Sequence, residues 1–281
     1  MGIEDTLMIA VERMPAFPKS VQRVLDLTRN PDVAPKSIVE VIEKDPVMTA
    51  RILRVINSAF YALPNKVAVV GHAVVLLGIN TIKNLAIRIA AVGMIPKTNE
   101  AGLDTDSYLL HSLGCAELSK LIAQRLGDAD PTEAYIGGLL HDIGKILFAL
   151  YLPHPFRSAL EKSAAEGIAL HLAEQDALGV DHTVAGALLA QKWQFPASLV
   201  ECIRNHHQAP PRQGLGRTLF LANQIMKARG FGASGNPEIA ALPEGLAGGL
   251  GVDYPSVALA FPELERTLEQ VRQYADARGQ Q

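Results

Sequence analysis

The stretch DPTEAYIGGLLHDIGKIL, residues 130–147, decides how this chain is expected to fold. Asp130 can act as an N-cap, and Pro131 suits the first helical position because a backbone N–H has no partner there. Glu133 completes a pattern that resembles a capping box. Apolar side chains then recur with helical spacing at Ile136, Leu139, Leu140, Ile143 and Leu147. The stretch therefore predicts one core-facing helix, with a histidine and an aspartate side by side in its apolar run.

Helical periodicity continues along almost the whole chain, and no segment shows the sustained alternation that is typical of strands. Gly, Pro and Asn interrupt the apolar patterns at short intervals, which indicates connected helices. The sequence therefore predicts an all-α, multi-helix bundle. We expect an N-terminal helical half (1–100), a second helical half that holds most histidines (101–228), and a loop with a C-terminal helical tail (229–281). Within this plan, residues 96–106 and 229–238 are predicted linkers, and PEGLAGGLGV (243–252) is expected to be a flexible loop.

Composition argues against several classes of protein. The chain has 281 residues, 48% of them hydrophobic and 20% charged, which is typical of a globular protein rather than a disordered one. A net charge of -3 and a pI near 6.2 give no basic footprint for nucleic acid. Cys115 and Cys202 are too few for a disulfide framework, so both are expected to be small buried residues in a reducing compartment.

No targeting or membrane segment is apparent in the sequence. The first residues lack the basic region of a secretory signal, and the longest apolar stretch, LAIRIAAVGMI, is too short to span a bilayer. We therefore expect a cytoplasmic protein with neither membrane nor nucleic acid among its partners.

The histidines of the second half suggest a metal site. His141 and Asp142 are adjacent, and Lys145 falls one turn beyond His141 on the same face of the predicted helix. One helix could thus supply two ligands, and the others must come from elsewhere. The further candidates are His111, His182, His206 and His207.

Each of these histidines alone is more often a hydrogen-bonded structural residue, but their joint occurrence at helix-compatible positions favours a metal. Asp181 is the expected N-cap in front of His182, and the positive helix end there favours the neutral imidazole that binds metals. His72, His154 and His171 lack such company and are expected to be ordinary.

The order of these residues resembles the ligand order of the HD superfamily of metal-dependent phosphohydrolases, in particular its HD-GYP branch, which hydrolyses cyclic di-GMP. The resemblance implies an HD-like second half. It also implies a last metal-binding aspartate within LFLANQIM, where this sequence has Asn223. A neutral amide is a poorer ligand and does not offset cation charge. The GYP motif is also missing, since HHQAPPRQG follows instead, and both departures weaken a hydrolase interpretation.

A narrower resemblance covers about residues 14–207. MPAFPKSVQRVLDL, VIEKDPVMTARILRVINSAFY, HAVVLLGINTIKNLA, GGLLHDIGK and EQDALGVDHTVAGALLAQKWQFP resemble the HDOD domain of bacterial signalling and regulatory proteins. The chain departs from it at Leu109, where many members have a tryptophan. The resemblance implies an all-helical fold and a regulatory role, generally without demonstrated hydrolase activity.

The segment NSAFY (57–61) has two interpretations. Asn57 and Ser58 can cap the end of a helix while Phe60 and Tyr61 pack beneath it, or the segment can contact a partner. Asp45 is expected to close one helix and cap the next. The candidate partner-binding residues are Arg51, Arg54, Asn57 and Tyr61.

Two functions remain open from the sequence. The first is a noncatalytic signalling adaptor that binds a signalling protein or senses a small ligand. The second is a metal-dependent phosphohydrolase acting on a nucleotide or cyclic dinucleotide, with Lys145 neutralising phosphate charge. Nitrogen and oxygen ligands suit iron, manganese or zinc, and the spacing of the candidate ligands does not choose among these metals. We expect the adaptor function, because of the signature and Asn223.

Overall fold

The computed structural model describes residues 2–28, 33–58, 61, 63, 65–236 and 238–279, and the side chains of 3, 28 and 276–279 are left undescribed. The described residues form helices joined by turns and contain no strand, which confirms the predicted all-α fold. The chain divides into two compact units. We call residues 16–94 the N-terminal unit, and residues 1–15 together with 95–281 the histidine unit.

The N-terminal unit is a small helical bundle. Its described helices are α2 (Lys19–Thr28), α3 (Pro35–Glu43), α4 (Pro46–Ile56), α5 (Val70–Leu77) and α6 (Ile79–Val92). Asp45 caps α4, because its carboxylate accepts from the Met48 amide at 3.0 Å and also from the Ser20 hydroxyl at 2.7 Å. Met48, Ile52 and Ile56 recur every four residues and are buried, so one face of α4 faces the core.

The histidine unit carries the remaining helices. They are α1 (Ile3–Arg13), α7 (Thr105–Leu126), α8 (Pro131–Leu140), α9 (Ile143–Tyr151), α10 (Pro153–Glu166), α11 (Leu170–Leu178), α12 (His182–Lys192), α13 (Ala197–Asn205), α14 (Leu215–Ala228), α15 (Tyr254–Leu259) and α16 (Leu264–Gly279). The long α7 packs against α8, α14 and α16 and lies at the centre of this arrangement. Asp104 caps its start, and Gly127 ends it with a φ of 70°.

The first helix belongs to the histidine unit rather than to the N-terminal unit, which differs from the expected division at residue 100. Lys192, at the end of α12, donates hydrogen bonds to the carbonyls of Val11, Glu12 and Met14 at 2.7 to 3.0 Å. The neighbouring Trp193 indole donates to the Pro15 carbonyl at 3.1 Å. A cation at the last carbonyls of a helix stabilises that end, so α12 fixes α1 in place.

The stretch 130–147 forms two helices where one was expected. Asp130 caps α8 as predicted, with the amides of Thr132 and Glu133 at 2.9 and 2.8 Å. The helix then ends at Leu140, and α9 begins at Ile143, with Asp142 as its N-cap residue at a φ of -96° and a ψ of 9°. The histidine and the aspartate therefore lie at a break between two helices, and their side chains are not held at the spacing of one continuous helix.

The predicted linker 229–238 is docked on the protein. Phe231 and Ser234 are buried, and the Ala233 amide donates to the Ser107 carbonyl of α7 at 3.0 Å. The glycine-rich stretch 243–252 forms successive turns, in which Leu246 and Ala247 are buried. Apolar anchors between the glycines explain why these segments pack, which the glycine count alone did not reveal.

No single helix in the described part of the chain is long and apolar enough to cross a membrane. Within the same residues, α5 and α6 taken together are the one pair that reaches the necessary length and composition, and they are bent by 120° at their junction.

Candidate metal centre

His141 and Asp142, at the break between α8 and α9, lie together in one buried site. His141 and Asp142 are 0% and 2% exposed. The Nδ1 atom of His141 lies 2.9 Å from the Gly138 carbonyl, which points its Nε2 atom towards Asp142, 3.4 Å from Oδ2. A Cβ atom at Gly138 would overlap the Cys115 backbone, so only glycine lets α8 approach α7 this closely.

Two further histidines direct their Nε2 atoms at the other oxygen of Asp142. His182, the first residue of α12, lies 3.2 Å from Oδ1, and His206, at the end of α13, lies 3.5 Å from it. The Nδ1 atom of His206 is 2.7 Å from the Ile203 carbonyl. Three elements that are distant in sequence thus converge on one carboxylate.

His207 extends the cluster on its outer side. Its Nε2 atom is 3.0 Å from Nε2 of His182, and its ring stacks on His171 with the centroids 4.3 Å apart. His171 was expected to be an ordinary residue, but it borders the site. No sequence signal indicated this, because the stacking depends on the tertiary packing that brings α11 to His207.

The geometry of the histidines fits a bound cation. The protons of His141 and His206 are assigned to Nδ1 by their hydrogen bonds to backbone carbonyls, which leaves lone pairs on Nε2. Facing lone pairs and a carboxylate repel one another unless a cation or a proton lies between them. One ligand atom from each of Asp142, His182, His206 and His207 lies within 4.8 Å of the others.

Unpaired buried atoms support the same fit. His141 Nε2 and Asp142 Oδ1 have no hydrogen-bond partner among the described residues, although both are fully enclosed. Such atoms cost about 1 to 3 kcal/mol each unless something satisfies them. Imidazole nitrogens and a carboxylate oxygen are ligands that suit iron, manganese or zinc.

A second group, formed by His111, Cys115 and His141, lies beside the first, with Nε2 of His141 3.4 Å from Oδ2 of Asp142. His111 and Cys115, one turn apart on α7, have Nε2 and Sγ 3.5 Å from each other, and with His141 they could hold an ion. Asn223 of α14 is buried, and its Oδ1 has no hydrogen-bond partner among the described residues. Asn223 contributes no charge here, so the group of His111, Cys115 and His141 gains no carboxylate from this position to offset a second cation.

Burial controls the protonation of most of these histidines. Removal from water lowers the pKa of His111 to about 4 and lowers the pKa of His141 and His207 well below the ordinary range. The pKa of His206 is also lowered by burial. Burial alone would raise the pKa of Asp142, but the adjacent His141 and Lys145 hold it well below its usual value. Neutral imidazoles around an ionised carboxylate are the states that bind metal.

His182 differs from its neighbours because of Glu174. Burial lowers the pKa of His182, but the Glu174 carboxylate, 2.5 Å from its Nδ1 atom, raises the pKa above the ordinary value overall. The expectation that the helix end keeps His182 neutral did not include this carboxylate. A metal-ligating histidine commonly gives its other nitrogen to a carboxylate, which orients the ring and strengthens the ligand.

Sequence reasoning missed Glu174, although a signal was present. In α11 it shares the buried face with Leu170, Ala173 and Leu178, and it is 0% exposed. A charged residue within an apolar stripe needs a buried partner. The next histidine along the chain, His182, was the obvious candidate for that partner.

Lys145 is fully enclosed beside the cluster. Its Nζ atom lies 2.8 Å from Asp142 Oδ2 and 3.2 Å from the Ser234 hydroxyl. The side chain is 1% exposed. The lysine that was expected to meet a substrate phosphate is thus held by groups of the protein itself.

Comparison with known proteins identifies the family of this chain. The sequence profile of the HDOD domain matches residues 14–209. The chain belongs to the HDOD family. The match spans the N-terminal unit and the described ligands up to His207, and ends before Asn223 and the C-terminal segment.

Solved structures with the same fold cover nearly all of this HDOD chain. An HDOD domain protein of unknown function from Geobacter sulfurreducens is 26% identical, with a TM-score of 0.77 and 98% of each chain covered. A "Putative phosphohydrolase" from Shewanella amazonensis SB2B is 30% identical, with a TM-score of 0.71 over 95% of this chain and 97% of that one. A "Putative signal transduction protein" from Marinobacter aquaeolei VT8 is 25% identical, with a TM-score of 0.78 over 98% of this chain and 65% of that one.

Curated relatives are longer proteins. An uncharacterised protein of Treponema pallidum (strain Nichols) is 26% identical over 201 residues, which are 71% of this chain and 39% of that protein. Ribonuclease Y of Mycoplasma mycoides is 31% identical over 156 residues, 54% of this chain and 30% of that protein. The chain therefore spans well under half of the curated relatives it matches.

The candidate partner-binding residues lie in the N-terminal unit. Arg51 and Arg54 are exposed on α4, and Tyr61 is half-buried. Asn57 ends α4 and has a structural role, because its side chain exchanges two hydrogen bonds with the Val67 backbone at 2.7 and 2.8 Å. The Ser58 hydroxyl donates to the Val55 carbonyl at 2.6 Å. Phe60 lies outside the described residues.

Proposed function

We propose that this protein is a noncatalytic regulatory module of the HDOD family that acts through protein contacts, with the histidine centre serving as a structural hub. Membership of the family and a solved relative named for signal transduction support a regulatory role. The fold and the candidate centre are compatible with it.

The enclosure of His141, Asp142 and Lys145 is the observation that carries this proposal. His141, Asp142 and Lys145 are 0%, 2% and 1% exposed. A hydrolase must place a phosphate ester against its metal and a water molecule beside it. Lys145 donates to Asp142 and Ser234, and its side chain is 1% exposed, so its ammonium group is not accessible to a substrate phosphate in this conformation.

A cation in this centre would have a clear structural effect. His141 and Asp142 join α8 to α9, while His182 and His206 come from α12 and α13. A divalent ion held by these side chains would bind several helices to one point, and its binding free energy would stabilise the fold.

One face of α4 is the best candidate for partner contact. Val47, Arg51 and Arg54 follow one another at helical spacing and are exposed, with Val47 62% exposed. Arginine beside an apolar side chain is a common composition for an interface anchor. A signalling protein with an acidic or apolar patch would fit such a face.

A metal-dependent phosphohydrolase is the second candidate. The unpaired Nε2 of His141 and Oδ1 of Asp142 support it, as does the 30% identical relative named as a phosphohydrolase. In that function the metal would polarise a phosphate ester and supply hydroxide, with Lys145 as the group that balances phosphate charge. A nucleotide, a cyclic dinucleotide or RNA would be the substrate class to test.

The two functions make opposite predictions for one pair of variants. His141→Ala should lower the melting temperature and leave partner binding by the N-terminal unit intact below that temperature. Arg51→Glu with Arg54→Glu should leave the melting temperature unchanged and reduce binding of a signalling partner identified by cross-linking of the wild-type protein. If His141→Ala melts normally and abolishes a hydrolase activity, while the arginine variant binds every partner, the adaptor function is wrong.

Metal analysis completes the experiment. Protein purified without chelators should contain a transition metal that the Asp142→Asn variant lacks. A matched control is Asp176→Asn, because Asp176 is an exposed carboxylate that pairs with Lys162 at the surface. The control should keep both its metal and its melting temperature.

A further inference from the structure

A cysteine lies among the buried histidines of α7 and α8. His111 and Cys115, one turn apart on α7, are 1% and 0% exposed, and Sγ of Cys115 is 3.5 Å from Nε2 of His111. His141 adds a third ligand atom, and the three atoms lie within 4.8 Å of one another. We call these three residues the cysteine cluster. Two ring nitrogens and one sulfur thus converge in a part of the protein that is withdrawn from water.

Close packing of α8 on α7 creates the cysteine cluster. A Cβ atom at Gly138 would lie 2.5 Å from the Cys115 carbonyl oxygen, so the two helices can approach this closely only at a glycine. His141 follows three residues later, and its Nδ1 atom lies 2.9 Å from the Gly138 carbonyl. Gly138 therefore admits the backbone of Cys115 and also orients the ring of His141.

A hydrogen bond between the Cys115 thiol and the His111 ring would account for only part of this cluster. Nε2 of His141 has no hydrogen-bond partner among the described residues, although the ring is fully enclosed. With the proton of His141 on Nδ1, this atom carries a lone pair and has no donor to accept from. A buried acceptor without a donor destabilises the fold, and a cation held by all three side chains would satisfy it.

The distances between the ligand atoms match those around a tetrahedral zinc ion. Zinc bonds of about 2.3 Å to sulfur and about 2.0 to 2.1 Å to nitrogen or oxygen give tetrahedron edges of about 3.6 Å between sulfur and nitrogen and about 3.4 Å between nitrogen and oxygen. Sγ of Cys115 and Nε2 of His111 are 3.5 Å apart. Nε2 of His141 and Oδ2 of Asp142 are 3.4 Å apart. The two pairs can therefore supply two opposite edges of one tetrahedron.

The charges around the cysteine cluster favour a thiolate ligand. Asp142 brings one negative charge, but the Lys145 ammonium, 2.8 Å from its Oδ2 atom, balances that charge. Asn223, where the HD resemblance implied an aspartate, brings none. A divalent ion among neutral imidazoles would thus be buried without compensation, which is costly. A thiolate at Cys115 supplies a negative charge, and the thiol proton leaves to solvent when the ion binds.

We propose that Cys115 is a metal ligand that makes this cluster a zinc site, with His111, His141 and Asp142 as the other ligands. Sulfur and nitrogen donors in a tetrahedral arrangement select zinc over manganese. Four protein ligands leave no position for a water molecule or a substrate, which is the arrangement of structural zinc sites. The inference rests on the structural hub of the proposed function for its consequence, and it assigns an ion and a sulfur ligand to that hub.

The test uses the full chain and cobalt(II) as the probe. Cobalt(II) occupies zinc sites, and a thiolate bound to it gives an intense near-ultraviolet absorption band that nitrogen and oxygen ligands do not give. Protein freed of metal with a chelator would be titrated with cobalt and then with zinc. The chain offers a matched control, because Cys202 is also buried, at 7% exposed, and belongs to neither candidate ligand group.

The wild type and Cys202→Ser should both show the thiolate band, and zinc should remove it by displacing the cobalt. Cys115→Ser should lose the band and should retain one zinc ion fewer per chain than the wild type. A wild type without the band would overturn the proposal. So would a band that survives in Cys115→Ser or disappears in Cys202→Ser.

X-ray absorption decides if Cys115→Ser loses its helical circular dichroism. The measurement uses the zinc-loaded wild type and needs no variant. A sulfur neighbour at about 2.3 Å from zinc supports the site, and nitrogen and oxygen neighbours alone overturn it.

The melting temperature separates this inference from the proposed hub. A thiolate band in a wild type whose melting temperature is unchanged by chelation would support Cys115 as a ligand and contradict the hub. A melting temperature that falls on chelation, in a wild type without the band, would support the hub and contradict Cys115 as a ligand.

Discussion

The Nε2 atom of His182 lies 3.2 Å from Oδ1 of Asp142, and the two residues come from segments forty positions apart in the chain. Glu174 contacts the opposite nitrogen of the same imidazole. The ring is thus fixed between two carboxylates, one inside the candidate centre and one behind it. This relationship supports a centre that ties helices together.

Replacing Asp142 by asparagine should destabilise the protein strongly. The variant leaves the Lys145 ammonium buried without its carboxylate, and breaking a buried ion pair costs about 3 to 5 kcal/mol. Urea unfolding would measure the change. Asp176→Asn breaks an exposed pair with Lys162 and should cost under about 1 kcal/mol. Equal stability of the two variants would contradict a structural role for Asp142.

Replacing Glu174 by glutamine should weaken metal binding. The amide keeps the size of the side chain but removes the charge that orients His182 and strengthens it as a ligand. Loss of such a supporting carboxylate typically lowers metal affinity about 10- to 100-fold. Competition with a metal indicator would measure the affinity, with Glu166→Gln as the control, because Glu166 is exposed at the end of α10. Unchanged affinity would show that Glu174 does not support the metal.

Removal of the metal should lower the melting temperature of the wild type but not that of Asp142→Asn. A ligand that binds only the folded state stabilises it by about 2.7 kcal/mol at a hundredfold excess over its Kd. Differential scanning calorimetry before and after chelation would show the shift, and readdition of iron, manganese or zinc in turn would identify the preferred ion. A wild-type protein that melts identically in both states carries no structural metal.

Asp45 should stabilise the N-terminal unit in a pH-dependent manner. Hydrogen bonds from the Met48 amide and the Ser20 hydroxyl lower the pKa of Asp45 below 3.8 in the folded state. The carboxylate therefore contributes fully above the unfolded pKa of 3.8, and its contribution is lost as the pH falls through the folded pKa. Asp45→Ala should cost about 0.5 to 2 kcal/mol at pH 7, and the cost should shrink in acid.

The control for this effect is Glu40→Ala, an exposed substitution on α3. Its effect on the free energy of unfolding should be small and should not follow the same acid titration. A cost of Asp45→Ala that stays constant from pH 7 to the acid limit would contradict the capping role.

Much of the fold follows from local sequence signals. Asp130, Asp181 and Asp45 cap helices as predicted, because an N-cap depends only on the residue and the amides that follow it. The apolar spacing of 130–147 indicated contact with a core, but residues 134–149 are buried on all sides rather than along one stripe. The break at His141 and Asp142 was missed, because apolar periodicity continues across it.

The candidate site was partly accessible to sequence reasoning. The structure brings the candidate histidines and Asp142 into two adjacent groups, one of Asp142, His182, His206 and His207 and one of His111, Cys115 and His141. The surrounding residues were missed because they act through tertiary packing. His171 lies on α11, whereas the ring that it stacks on belongs to His207, after the end of α13. Ser234 lies 89 positions from the lysine that it contacts. Among these surrounding residues, Glu174 had a signal in the sequence, because it is a charged residue within the apolar face of α11.

Hydrolysis by the metal-loaded protein tests the central claim most directly. The wild type and His141→Ala would be assayed side by side against cyclic di-GMP with iron, manganese and zinc. The enclosed centre predicts that neither protein hydrolyses the substrate above the rate without protein. Turnover in the usual enzyme range of about 1 to 1,000 per second that disappears in His141→Ala would contradict a noncatalytic hub.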